Sequence, residues 1–424
     1  MKTISYLIKT FMVTLLILIT LLVAVWLIPE TTIVDHSEKG INLLKAEEGD
    51  LWEDHFTYTW GASIDNATDI IMMKQTISSA EDGHSLFYKV FYCNGYARYW
   101  HGYLIILRPL LALMSYVQIR YLFMVIHMFA LVGTAIRILK KFNCNMVYGW
   151  VVSMIVVNFV SLPFSLQFSW VFFIMYGAIW YLDWNYDKWK MVNNNINLWA
   201  FFMVTGMVTS FMDLLTSPVL SLGMPLLYLL MLKIKLEGET QYKKNILTMI
   251  CASSSWVIGY VGCWVMKWLL AIPILEKGIF LEAVAQVGLR TGGKIDFGAG
   301  KVLPSSFVKA VTYNVYALLP PGLPDDMSAP VWTLFFVFVL IGVIVLLLLF
   351  LRYHETLDVV QSYIPILILM CYPYVWYGFA TQHSQIHPFL EYRNQMITVM
   401  GGWIVISNCI KWSRLKKRKE KELM

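Results

Sequence analysis

Charge is what this sequence has least of. Only 14% of its 424 residues are Asp, Glu, Lys or Arg, while 58% are hydrophobic; soluble domains carry about a quarter charged residues. So little polar material cannot cover a core of this size in water, which excludes a soluble globular fold and leaves lipid as the solvent. The six cysteines (Cys93, Cys144, Cys251, Cys263, Cys371 and Cys409) have neither paired nor metal-type spacing. That excludes a disulfide framework and a cysteine-rich zinc site. There is no convincing internal repeat. Nor is there a nucleotide loop: Gly288-Leu289-Arg290-Thr291-Gly292-Gly293-Lys294 has glycines without P-loop spacing.

What is present is a series of apolar runs punctuated by basic turns. A bilayer needs about 20 apolar residues per helix, and Ile8–Ile28, preceded by Lys2 and Lys9, meets that length. No small-x-small cleavage site follows at 25–30, so it reads as an uncleaved first span with the N-terminus inside. The acid-rich segment 29–120 is then the first outer loop. Within it Tyr103–Val117 is short and carries Arg108 and Pro109, so it is assigned as an interfacial helix. The further expected spans are Tyr121–Leu139, Met146–Leu162, Phe168–Leu182, Leu198–Met212, Val219–Leu232, Ile246–Met266, Val331–Leu351, Tyr363–Ala380 and Met396–Ile410.

The expected fold is therefore an all-α polytopic membrane protein of about ten transmembrane helices in one domain. Its second outer loop covers 271–330, and its basic tail, 411–424, stays in the cytoplasm. Every short basic loop falls inside, as the positive-inside rule requires. The tail, with Lys411, Arg414, Lys416, Lys417, Arg418, Lys419 and Lys421, suits anionic lipid rather than nucleic acid. Lys277, Arg290, Lys294, Lys301 and Lys309 in the second outer loop point to an anionic ligand outside.

Six of the eight histidines fall in outer loops: His36, His55, His84, His101, His383 and His387. Three polar groupings stand out there. Asp65 and Asp69, four residues apart, share a face if helical, and such a pair can activate a hydroxyl, hold a cation or simply be solvated. Asn66-Ala67-Thr68 beside them is a glycosylation sequon. Arg98, Tyr99, Trp100 and His101, leading to Arg108, have the composition of an interfacial belt or of a sugar and lipid-phosphate platform. His383 and His387 precede Glu391, Tyr392 and Arg393, without the context of a zinc helix. Asp213 and Lys267 sit at span ends, where an ionisable group is costly and points to function or to snorkelling.

In Ile64–Asp69, Ala97–Tyr103, Leu107–Leu111 and His383–His387 the chain resembles a largely uncharacterised bacterial membrane family. In layout it is similar to the GT-C glycosyltransferases, which use polyprenyl-phosphate sugars. The resemblance implies inverting transfer of the sugar to a cell-envelope glycan or lipid acceptor at the outer membrane face. It makes Asp65 or Asp69 the general base, although the family's acid often follows the first span directly, which points to Glu30 or Asp35. Arg393, Lys267, Arg98 and Arg290 are the candidates for the donor phosphate, since developing negative charge needs cations. Tyr99, Trp100, His101, Arg108, Asp213, His383, His387 and Tyr392 are the candidates for substrate contact. No cofactor is called for, with room left for a divalent cation. Two rivals stand beside this reading: a polysaccharide polymerase or ligase using a diphosphate-linked glycan, and a transporter or flippase of envelope precursors.

Overall fold

The computed structural model describes residues 2–47, 64–77, 84–191, 195–237, 241–275, 278–296, 302–318, 341–346 and 348–411. His55, Lys277, Lys301, much of the expected span Val331–Leu351 and the basic residues from Arg414 onward lie outside these. Among the described residues the chain is mostly helical, with one sheet of two three-residue antiparallel strands, β1 (Lys294–Asp296) and β2 (Val302–Pro304), and Ile295 opposite Leu303.

Among the described residues five helices are long and apolar enough to cross a membrane: Thr3–Val25, Tyr116–Lys141, Asn195–Met212, Tyr242–Ala271 and Leu357–Phe379. Four other expected spans are also helical, over Cys144–Val156, Leu166–Met191, Leu220–Glu237 and Met396–Cys409. The first and last of these are short: at 1.5 Å per residue they reach roughly 20 Å, against about 30 Å of hydrocarbon. The Leu220–Glu237 helix is a core element, since every residue from Leu215 to Ile234 is buried. Its all-round apolar surface is explained by other helices rather than by lipid.

The helices are α1 (Lys2–Val25), α2 (Val34–Ala46), α3 (Asn66–Lys74), α4 (Leu86–Tyr92), α5 (Leu104–Leu113), α6 (Tyr116–Lys141), α7 (Cys144–Val156), α8 (Leu166–Met191), α9 (Asn195–Met212), α10 (Leu220–Glu237), α11 (Tyr242–Ala271), α12 (Gly278–Gly292) and α13 (Phe307–Tyr316). The remainder form short helices over 357–391 and the last helix, Met396–Cys409. Side chains set several of the starts. Ser115 and Gln118 make a reciprocal capping box at α6, and Asn143 accepts the Met146 N–H at α7. That box moves the start of the crossing helix to Tyr116, five residues before the expected Tyr121, and ends the interfacial helix at Leu113 instead of Val117.

One apolar core joins α6–α11 to the final helix; a second packs α2–α5 against α1 and the neighbouring ends of α6, α8, α9 and α11. The closest crossing is that of α9 and α11. A Cβ on Gly206 would stand 2.1 Å from the Trp256 carbonyl oxygen, and one on Gly259 2.0 Å from that of Met203. Small residues here let the two backbones touch. Gly259→Ala is therefore expected to force the helices apart and destabilise by about 1–3 kcal/mol. Thermal unfolding in detergent measures it, and an unchanged midpoint would remove this crossing as a constraint.

Candidate functional site

Beyond its crossing with α11, α9 ends at Met212 and the chain breaks there. Asp213 follows the helix, and Leu215 adopts a left-handed backbone at φ +69°. For a residue with a Cβ that conformation costs about 1–3 kcal/mol, and such strain concentrates at functional sites. The Leu215 carbonyl accepts from His383 Nε2 at 2.9 Å, and Ser217 Oγ donates to the Leu390 carbonyl at 2.8 Å. The break is thus pinned to the segment 381–391. Because a carbonyl only accepts, His383 carries its proton on Nε2 and leaves Nδ1 as an acceptor.

Glu391 closes this cluster. It is fully buried, and its Oε2 accepts from Trp376 Nε1 at 2.8 Å and from Asn394 Nδ2 at 2.6 Å. Its Oε1 lies 3.4 Å from His383 Nε2, whose proton is aimed at Leu215. Burial pushes the Glu391 carboxyl well above the usual range and the charge of Asp213 raises it further, against the lowering by Trp376 and Asn394. Asp213 is 3% exposed; burial carries its pKa up to about 7, partly offset by hydrogen bonding from Thr216. Its Oδ2 accepts the Thr216 N–H at 2.9 Å, while Oδ1 has no hydrogen-bond partner among the described residues.

The two histidine rings lie 4.7 Å apart. Burial first, then the neighbouring Arg290 charge, lowers His387 to about 4; His383 falls well below its ordinary value from burial, His387 and Arg290. Burial therefore favours the uncharged form of all four groups, keeping both histidines neutral and drawing the Glu391 and Asp213 carboxyls toward their protonated forms.

Beside it runs a groove walled by Trp264 and Trp268 of α11, by Ala283 and Val287 of α12, and by Trp376 and Phe379, with Leu215 in its lining. Arg98, Tyr99 and Arg290 supply its polar surface. Arg98 stacks on Tyr96 at 4.0 Å and pairs with the half-exposed Glu282 at 3.3 Å. Its loop is held because the Arg98 carbonyl accepts from both Trp264 Nε1 at 3.2 Å and Trp268 Nε1 at 3.1 Å. The arrangement combines an apolar trough with two guanidinium groups, and guanidinium forks match phosphate oxygens.

The structure gathers Arg98, Tyr99, Arg290, Asp213, His383 and His387 here and sends the other candidates elsewhere. Asp69 is fully buried and caps α8: its Oδ1 accepts from Gln167 N at 3.0 Å and Ser165 Oγ at 3.2 Å, its Oδ2 from Leu166 N at 2.7 Å and Tyr116 Oη at 3.1 Å. With four donors in place, no direction remains for an acceptor hydroxyl. Asp65 caps its own helix, accepting the Thr68 N–H at 2.9 Å. The pair expected to act on substrate is built into two helix starts. Asn66 of the sequon is buried, donating to the Leu44 carbonyl and to Glu47 at 3.2 Å each, so a glycan cannot reach it here.

Arg108 is buried too, donating to the carbonyls of Val25 at 3.0 Å, Ile28 at 2.9 Å and Thr76, so it ties the end of α1 to the segment after α3. Lys267 donates to the Phe91 carbonyl at 3.2 Å beneath the Phe91 and Trp100 rings, and Trp100 donates to the Cys263 carbonyl. His101 bonds Tyr103 Oη and the Tyr96 carbonyl, and burial lowers it to about 3. Arg393 donates to the Phe389 carbonyl and Ser161 Oγ and lies on the Phe168 ring, while Tyr392 donates to the Val157 carbonyl. None of these six lines the groove.

Glu391 was not among the expected site residues. The signal for it was present: an acid two residues from an arginine in the short polar segment between two apolar runs. Among the described residues no three His, Cys, Asp or Glu side chains are placed to hold a metal ion. Comparison with protein families, with characterised proteins and with solved structures finds no match to this chain. The chemistry must therefore be argued from the geometry.

Proposed function

We propose that the protein transfers a sugar from a polyprenyl-phosphate donor to an envelope glycan or lipid at the outer membrane face. In this reading the chain crosses about ten times, in the manner of the GT-C enzymes, with both termini in the cytoplasm. The observation that carries it is the pairing of an aromatic groove bearing Arg98 and Arg290 with a buried acid of pKa about 7 next to its wall. The sidedness is supported by charge. Arg137 pairs with Asp183 at 2.8 Å, Lys141 pairs with Asp187 at 3.1 Å, and Lys235 donates to the Lys141 carbonyl. Residues assigned to the inside thus meet one another, while those assigned to the outside meet around Leu215.

Asp213 takes the proton of the acceptor hydroxyl as its oxygen bonds to the anomeric carbon. The bond from that carbon to the donor phosphate breaks, and the leaving phosphate keeps the electron pair beside Arg98 and Arg290. Burial and the nearby Asp213 charge both disfavour ionisation of Glu391, which limits a second negative charge beside the donor.

Thermal unfolding with farnesyl phosphate as the donor-like probe tests the groove. At 100 times its dissociation constant a ligand adds about 2.7 kcal/mol, so the midpoint is expected to rise and the rise to disappear in Arg98→Ala/Arg290→Ala. An equal rise in that variant would eliminate the two arginines as the phosphate site. A response confined to diphosphate-linked glycans would favour the polymerase or ligase reading. The buried acid–histidine cluster also suits proton-coupled transport; proton uptake driven by substrate in vesicles would favour it.

A further inference from the structure

A second cavity, of about 630 Å³, lies away from this groove, between α1, α8 and α9. Helices α1 and α8 both pack on α9 and leave a crevice between them. Its walls are Tyr6 and Thr10 of α1, the α8 face carrying Ile174, Gly177, Ala178 and Tyr181, and the α9 face from Asn197 to Val208. Tyr181 stacks on Phe201 at 5.6 Å and forms an aromatic floor. Two of the three helices are long and apolar enough to span, so the crevice opens sideways into lipid.

We infer that this crevice binds one acyl chain of an anionic glycerophospholipid in the inner leaflet. A lateral crevice at membrane depth is filled by hydrocarbon, and its volume lies within the range of about 300–1,000 Å³ typical of small-molecule sites. One end is polar: Tyr6 Oη donates to Asn197 Oδ1 at 3.4 Å, with Thr10 one turn along. Two exposed cations lie near that end by helical spacing: Lys9 is three residues from Tyr6 in α1, and Lys188, its Nζ 5.9 Å from the Trp184 ring, follows Tyr181 by seven in α8. Asp183 and Asp187 point to the opposite side of α8, where Arg137 and Lys141 engage them. Charge therefore selects a negative headgroup over a zwitterionic one. Placement in the inner leaflet rests on the proposed sidedness; the occupancy does not rest on the proposed reaction.

Gly177 supplies the test, because a Cβ there would meet nothing within 4 Å. The full chain is purified in micelles mixed with equal phosphatidylglycerol and phosphatidylcholine, and native mass spectrometry reads the bound species. One retained phosphatidylglycerol is expected, lost in Gly177→Trp, whose indole fills the crevice; Lys9→Ala/Lys188→Ala is expected to bind both lipids alike. Val204→Trp, from the α9 wall, should repeat the loss and guards against a folding defect at 177. Equal retention of the two lipids by the parent protein would overturn the inference. So would an unchanged adduct in both Trp variants, retention of added farnesyl phosphate in place of phospholipid, or a dimer abolished by the same substitutions.

Discussion

Asp213→Asn is expected to lower sugar transfer by about 10²–10⁴-fold, the usual contribution of a positioned base, with the fold intact. Asn keeps an oxygen to accept the Thr216 N–H and removes only the group that takes the proton. Glu391→Gln provides the contrast. Burial raises the Glu391 pKa and favours its protonated form, which a neutral amide resembles more closely than it does a carboxylate, so the rate should change less than in Asp213→Asn. A dead Glu391→Gln beside an active Asp213→Asn would reverse the two roles. The base works ionised, so the parent rate should climb with pH through about 7 and level off above it, while the residual rate of Asp213→Asn should be flat.

Stability should show the same group with the opposite slope. The folded pKa of Asp213, about 7, lies above the usual value of 3.8, so the folded state binds more protons between those limits. Its contribution is complete below the lower value and is lost as pH rises through the upper one. Asn removes that part of the loss. An Asp213→Asn protein with the parent's full pH dependence of unfolding would show that the acid is not held as described.

The broad architecture was legible because it depends on one-dimensional signals. Run length marked the helices, and among the described residues five are long and apolar enough to cross a membrane. The roles of Asp65 and Asp69 were not legible. Their spacing correctly places them in or beside a short helix, but what Asp69 binds is the start of a helix 97 residues later. No local pattern encodes such a partner. Arg108 was misread for the same reason: its three backbone carbonyls come from residues 32 to 83 positions away. A buried arginine satisfied by remote carbonyls and one awaiting a phosphate look alike in sequence. Glu391 differs again, since its chemistry follows from burial beside Trp376 and Asp213, both set by tertiary packing.

Asp69→Ala is expected to be the most damaging single substitution for the fold. It would strand the N–H groups of Leu166 and Gln167 and the hydroxyls of Tyr116 and Ser165 in a fully buried site. Each unsatisfied buried polar group costs about 1–3 kcal/mol; the hydroxyls can turn toward other acceptors, but the two amides cannot. A loss of about 3–5 kcal/mol follows, read as a lowered unfolding midpoint. Asp69→Asn should recover only part of it, since its single amide oxygen can accept from one of the two backbone N–H groups while its NH2 faces the other. The two variants also separate capping from catalysis. A cap predicts that stability falls in Ala and returns in part in Asn, with transfer following the amount of folded protein. An Asn variant as stable as the parent yet without transfer would return the base to α3, where the sequence first pointed.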